Sequence, residues 1–434
     1  MHRHSFGKLR PVSDRILDNN ISGFKKENQG VDVKMAEHAA LENLVVLDLC
    51  RVIAGPFCGA MLADLGATVI KIERPGKGDD ARAYAPYLNG ESLYYSNLNR
   101  NKYGMTLDMK QEAGKDVLRE LVKKADILIE NFRPGVMDRM GLGYEELKKF
   151  NPRLIYGAVS GFGSYGRYHD RPGYDIIAQA MGGLMSITGQ KGNPPTRSGN
   201  AMGDILGGLN LTIGVLAAVN ARNITGEGQR VDVSLTDCVV ASLEQAVQRY
   251  FVSGKVPERR GNSYEAIAPY DTYEAKDGHV VIGCGNQKLY EHFCENIIRR
   301  PELVKDERFL TVPLRVENNL ILKEYFEEWT KERTVAEVTD ILLKEGIPAG
   351  PIYDLEDIFQ DGHIAGDREM LVHTTHPVMG DIVLNGNPVK LLGTRTNVTR
   401  KPSPTLGEDN RKILVEFLQK SEEEYRALEE AKVI

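Results

Sequence analysis

The chain has 434 residues, 41% of them hydrophobic, and a single Trp, which is enough for two globular domains with real cores. Its formal charge is −6 with both signs mixed along the sequence, so it offers neither a nucleic-acid footprint nor a basic membrane-binding face. Cys50, Cys58, Cys238, Cys284 and Cys294 form no CxxC or Cys/His cluster, which argues against a disulfide framework or a zinc site and suits a reducing, cytoplasmic setting.

Residues 1–41 are polar, with a basic bias interrupted by Asp14 and Asp18 and with no apolar core of a signal peptide. They read as a flexible extension; a transit peptide is the weaker reading, and Met35 could equally be an internal start. The folded part opens with LENLVVLDLC (41–50), an apolar run of buried-strand type, and continues with RVIAGPFCGAMLADLGA (51–67), whose apolar residues recur at helical spacing. TVIKIERPGKGDDAR (68–82) then reads as strand and polar loop. EAGKDVLRELVKKA, DILIEN, YEELKKF and RLIYGAVSG follow as helix, strand, helix and strand. Such alternation predicts a doubly wound α/β domain with a parallel sheet covered on both faces, over residues 42–240 and completed by 375–434.

After a linker at 241–261 a smaller α+β domain is expected over 262–374. PYDTYEAKDGHVVIGCG reads as two strands joined at Lys276-Asp277-Gly278, and helical stretches follow. The apolar run LNLTIGVLAAV (209–219) falls short of the roughly 20 residues that cross a bilayer and ends in polar sequence, so no membrane span is expected.

GFGSYG (161–166) fits G-x-G-x-x-G, but the RYHDRPGYD that follows contains Pro172 and leaves no helix N-terminus to face a pyrophosphate. It reads as a flexible loop. Ser160 in GAVSG sits one place too late for a nucleophile elbow. GNAMGDILGG (199–208) sets one carboxylate, Asp204, just before the apolar run. Asp204 reads either as a helix N-cap or as a nucleophile kept anionic by the helix terminus. Gly207 and Gly208 favour close approach of a ligand. Lys71 to Arg74, Arg100 to Lys102 and Arg133 to Arg139 adjoin predicted strand ends, where a ligand with several phosphates would find Arg forks and a Lys charge.

Five stretches together resemble the class III coenzyme A transferases: 46–82, 99–110, ADILIENFRPGVMDRMGLGYEEL (125–147), RPGYDIIAQAMGGLMSITG (171–189) and GNAMGDILGG. The resemblance covers about residues 42–400. It implies that Asp204 is the catalytic nucleophile, forming an aspartyl anhydride and then an aspartyl-CoA thioester, with no metal or redox cofactor. It also implies coenzyme A contacts at Ala54, Arg74, Arg100, Lys102, Asn131, Arg139 and Met140, with Arg74 against adenine and Lys102 near phosphate. The ligands would be an acyl-CoA donor and a carboxylic acid acceptor, and the assembly an interlocked homodimer of ring-shaped subunits.

Ile53 and GNSYEAIAPYD (261–271) depart from the formyl-CoA transferase pattern, so formyl-CoA and oxalate fit poorly. The succinyl-CoA-dependent dicarboxylate transferases are nearer, through VIGCGNQ and GIPAGPIYDLEDIF. An α-methylacyl-CoA racemase on the same fold is the alternative, weakened by Tyr174 where the racemases carry His, since a phenol with pKa near 10 is a poor proton shuttle at neutral pH. A dinucleotide-binding or purely structural α/β protein is a third reading.

Overall fold

The computed structural model describes residues 38–394 and 401–434. Most of the N-terminal extension therefore lies outside the described residues. Leu41 already belongs to the domain, since its N–H donates to the Leu65 carbonyl at 3.1 Å.

Six parallel strands form the main sheet: β1 (Val45–Asp48), β2 (Thr68–Glu73), β3 (Tyr103–Thr106), β4 (Ile127–Glu130), β5 (Ile155–Ser160) and β6 (Arg230–Ser234). Their order is β3-β2-β1-β4-β5-β6. The chain first adds strands to one side of β1, then returns to the other, so the switch point lies between β1 and β4, where open α/β sheets bind their ligands.

Side chains alternate across the sheet and are buried on both faces. Val46, Val69, Ile127 and Ile129 pack with Cys58 and Leu62 of α1 (Ala54–Asp64). Leu47, Ile70 and Leu128 pack on the other side with Val117, Leu118 and Leu121. These last three come from α3 (Glu112–Lys124), which follows α2 (Leu93–Asn99) and β3. Ile413, Leu414 and Val433 complete that second face, as the sequence pattern expects of the C-terminal segment.

The crossover from β5 to β6 contains α4 (Asp175–Met181) and α5 (Met202–Thr225). GFGSYG lies between β5 and α4 outside any helix, with the Ser164 N–H bonded to Asp232 Oδ1 at 3.0 Å. Helix α5 runs much further than its apolar run suggested and is, by length and composition, long and apolar enough to cross a bilayer. Its contacts are those of a core helix: Leu211 and Val215 lie in the sheet core, and buried Arg222 pairs with Asp126 at 3.0 Å.

Helix α6 (Leu235–Ala241) leads to α7 (Ala246–Ser253), so the expected linker carries a helix of its own. The antiparallel strands β7 (Tyr270–Ala275), β8 (Gly278–Gly283) and β9 (Ala349–Pro351) form the small sheet, with Ala275 opposite Gly278 at the expected hairpin. Tyr273, Val280, Phe293 and Phe326 anchor its separate core. A further hairpin, β10 (Leu371–His376) and β11 (Gly380–Asn385), brings Ile382 and Leu384 against Leu93 of α2. The hairpin thereby packs on a helix of the large α/β unit.

Candidate active site

Between the C-terminal ends of β1 and β2 and the loop after β4 lies a groove of about 220 Å³, lined by Cys50, Arg51, Arg74, Lys110, Phe132 and Met140 among others. It adjoins the switch point. Arg74 is exposed on its rim and Met140 is half-buried in its wall. Arg139, exposed, directly precedes Met140 and ends the short helix Val136–Arg139. The Asn131 side chain spans the switch point, accepting from Arg51 N at 2.8 Å and donating to Arg51 O at 2.7 Å.

Three of the residues expected at the coenzyme, Ala54, Arg100 and Lys102, are buried and not among those that line this groove. Lys102 is fully buried, and its Nζ donates to Asp48 Oδ2 (2.7 Å), Pro56 O (2.9 Å) and Asn99 Oδ1 (2.9 Å). All three ammonium protons are used, so Lys102 ties α1 to β1 from beneath, and a phosphate there would have to displace one of these partners. Arg100 is buried, and its fork closes on Asp64 at 2.6 Å. Lys71 too is buried, paired with Asp79 at 2.9 Å.

The pattern of apolar residues gave β3 no distinct signal, and Leu107 and Lys110, just beyond it, escaped notice with it. The structure places both in the lining of the groove.

The expected cap is also corrected. Helix α5 begins at Met202, after Ala201, so Asp204 stands in its first turn. The carboxylate that accepts the free Gly203 N–H is Asp175 Oδ1 of α4, at 2.8 Å. Buried Gln179 braces it, donating to both Asp175 oxygens at 3.0 and 2.9 Å while accepting from Ser198 N at 3.0 Å. Among the described residues the Asp204 carboxylate has no hydrogen-bond partner. Burial, and secondarily the Asp175 charge, push its pKa up to about 7; the helix dipole, which favours the ionised form, is outweighed. Tyr94 lies in its field: burial first, and then Asp204, raise that phenol to about 12.

Gly207 and Gly208 allow close packing of α5. A methyl group at Gly208 would lie 2.5 Å from the Ala54 carbonyl oxygen, and one at Gly207 would lie 2.4 Å from Leu235 Cδ2. Buried Ala54, the first residue of α1, is therefore in contact with α5 one turn beyond Asp204. This contact links the nucleophile candidate to the β1–α1 segment that also lines the groove. Within that segment Val52 has φ +67°, a left-handed conformation that costs a β-branched residue about 1–3 kcal/mol.

A parallel sheet with the order 3-2-1-4-5-6 and a groove at its switch point defines a doubly wound α/β protein of the ligand-binding kind. Within that class the chain belongs to CoA-transferase family III, whose sequence pattern matches residues 41–410. It is an enzyme that transfers coenzyme A.

The chain is 42% identical to the acetyl-CoA:oxalate CoA-transferase of Acetobacter aceti, over 87% of this chain and 95% of that one. It is 38% identical to the succinyl-CoA:glutarate CoA-transferase of Mus musculus, over 88% and 87%. Among solved structures, a CAIB/BAIF family protein from Brucella suis superposes with a TM-score of 0.77 at 38% identity, covering 87% of this chain and 99% of that one.

Proposed function

We propose that the enzyme moves coenzyme A between carboxylic acids through Asp204. The observation that carries this reading is a carboxylate without a hydrogen-bond partner among the described residues, one helical turn from the Gly208–Ala54 contact and so beside the segment that lines the groove. The ionised Asp204 attacks the donor's thioester carbonyl. The C–S bond breaks, leaving an aspartyl-acyl anhydride and coenzyme A thiolate. The thiolate then attacks the aspartyl carbonyl, releasing the first acid and forming an aspartyl-CoA thioester. The acceptor carboxylate attacks that thioester to give a second anhydride and free thiolate. Attack of the thiolate on the new acyl carbonyl yields the product thioester and restores Asp204. Each step exchanges one activated carbonyl for another, so the thioester's free energy is not lost to water. No metal or redox cofactor takes part.

Arg74, Arg139, Lys110 and Met140 would hold the coenzyme at the groove. Succinyl-CoA or a related small acyl-CoA is the proposed donor, with a mono- or dicarboxylic acid as acceptor. The Acetobacter aceti relative acts on oxalate by its name, which restores oxalate to the acceptors worth assaying. Formyl-CoA gains no such support. The racemase alternative lacks support as well, since Tyr174 is 74% exposed and Asp175 is occupied with the α5 N-terminus.

The enzyme is proposed to act in the cytoplasm as a homodimer, its subunits interlocked as in the family it resembles. Exposed apolar residues on α5 and α7 support an assembly; Ile213, Phe251 and Val252 are 65%, 86% and 83% exposed.

Mass spectrometry after incubation with donor alone tests the mechanism. An adduct on the peptide holding Asp204, convertible by hydroxylamine to a hydroxamate, is expected. Folded Asp204→Asn protein with near-wild-type transfer, after deamidation is excluded, would sink it.

A further inference from the structure

The five residues from Cys50 to Ala54 carry the chain from the floor of the groove to the foot of α5. No backbone ladder holds the middle of this crossing. Three side chains from three different places take its successive N–H groups: Cys50 N donates to Asp48 Oδ1 at 2.9 Å, Arg51 N to Asn131 Oδ1 at 2.8 Å, and Val52 N to Asp79 Oδ1 at 3.0 Å. The last of these coincides with the left-handed bend at Val52, φ +67°.

Asp79 is 2% exposed and fully engaged. Its Oδ1 also accepts from Ala81 N at 2.9 Å, and its Oδ2 from buried Lys71 Nζ at 2.9 Å. Lys71 donates in turn to the Cys50 carbonyl, and Asp79 N donates to Glu73 Oε2 at 2.8 Å. The bend is thereby bolted to the end of β2. A valine leaves φ > 0 unless surrounding structure enforces it, and the only partner of the Val52 N–H among the described residues is Asp79.

We propose that Asp79 is a positioning residue: by accepting the Val52 N–H it enforces the bend that keeps the groove in register with Asp204. Its functional meaning rests on the reading of Asp204 and the groove given above. Asp79 touches neither reacting atom. Without its acceptor, Val52 relaxes to φ < 0, the start of α1 turns, and Ala54 no longer sets α5 at its present height over the groove.

Replacing only Asp79 would strand the buried Lys71 charge, so the test compares neutralised pairs. Asp79→Asn/Lys71→Met keeps an amide oxygen for Val52 N, whereas Asp79→Leu/Lys71→Met removes it. The expected result is a kcat for the leucine pair about 10- to 100-fold below that of the asparagine pair, as misplacement of reacting groups produces. Asp79 itself lines the groove, so the calorimetric Kd for free coenzyme A is measured for both pairs, and kcat should fall by a larger factor than Kd rises. Adding Val52→Gly to the leucine pair should recover about tenfold of the loss, since glycine adopts φ > 0 without a clamp.

Equal kcat in the two folded pairs, or a loss that Val52→Gly leaves untouched, would overturn the inference. Should the leucine pair not fold, Asp79→Ala/Lys71→Met takes its place with the same expectations. A wild-type enzyme that turns over with no Asp204 adduct would defeat the nucleophile reading alone, because the comparison of pairs is read from steady-state kcat.

Discussion

At the scale of single residues, the site depends on which charges are free and which are spent. Asp204 is free of hydrogen-bond partners among the described residues, and its pKa, raised by burial to about 7, makes two measurable statements. The nucleophile must be ionised, so kcat/KM should rise with pH through an apparent pKa near 7 and level off above it. An acid limb centred near pH 4 would show a carboxyl less shielded than this one. Stability runs the opposite way. The folded state keeps the Asp204 proton up to about pH 7 while the unfolded chain loses it near 3.8, so the folded protein loses stability as pH rises between those values. Asp204→Asn escapes this cost. It should be more stable than wild type by about 2–4 kcal/mol at pH 8, discounted for the solvent-facing side of the carboxyl, with the difference gone below pH 4. Chemical denaturation at the two pH values measures it. Arg74 and Lys102, paired in the sequence reading, should separate. Arg74→Ala should weaken coenzyme A binding by about 1–3 kcal/mol with the fold intact. Lys102→Ala strands buried Asp48 and should cost about 3–5 kcal/mol of stability instead. Calorimetry and denaturant melts of both variants distinguish the two roles, and the reverse pattern would return Lys102 to the ligand.

At the scale of elements, α5 is the part that joins chemistry to fold. Its first turn offers Asp204, its second packs Gly208 on Ala54, and its middle buries Leu211 and Val215 in the sheet core. Gly208→Ala places a carbon against a backbone oxygen that cannot rotate away, so α5 and α1 must separate. Overpacking of this kind costs about 1–3 kcal/mol, and the displaced Asp204 should lower kcat by more than tenfold with a smaller change in KM. Steady-state kinetics with a melting curve checks both; an unchanged kcat would mean that α5 tolerates the shift. Helix periodicity made α1 and α3 plain in the sequence, and short apolar runs made β1, β2, β4 and β5 plain. β3 and β6 give no such signal, because YGMT and RVDVS contain no run of apolar residues long enough to stand out from loops. The N-cap reading of Asp204 failed for a related reason. Local sequence favours Asp at a cap, but Asp175, 29 positions earlier in the chain, already holds that bond.

At the scale of the whole molecule, the exposed apolar faces of α5 and α7 suggest how the assembly can be tested. Analytical ultracentrifugation should give a species of twice the 48.3 kDa chain mass, and Phe251→Asp should shift it toward the monomer, since a charge in an apolar contact is costly. A wild-type monomer at micromolar concentration would remove the dimer from the proposal. The α/β class with its parallel sheet, four of the six sheet strands and the family were legible in the sequence by itself, because hydrophobic period and contiguous motifs are local properties of a chain. The tertiary structure alone decided which cations face the groove, which glycines serve packing, which carboxylate caps α5 and why Val52 bends. Each of those outcomes depends on a partner brought from a distant part of the chain, as Asp48 is to Lys102, Ala54 to Gly208, Asp175 to Gly203 and Asp79 to Val52. A side chain's sequence neighbourhood states its charge and size, but only its neighbours in space determine whether that charge remains available for chemistry.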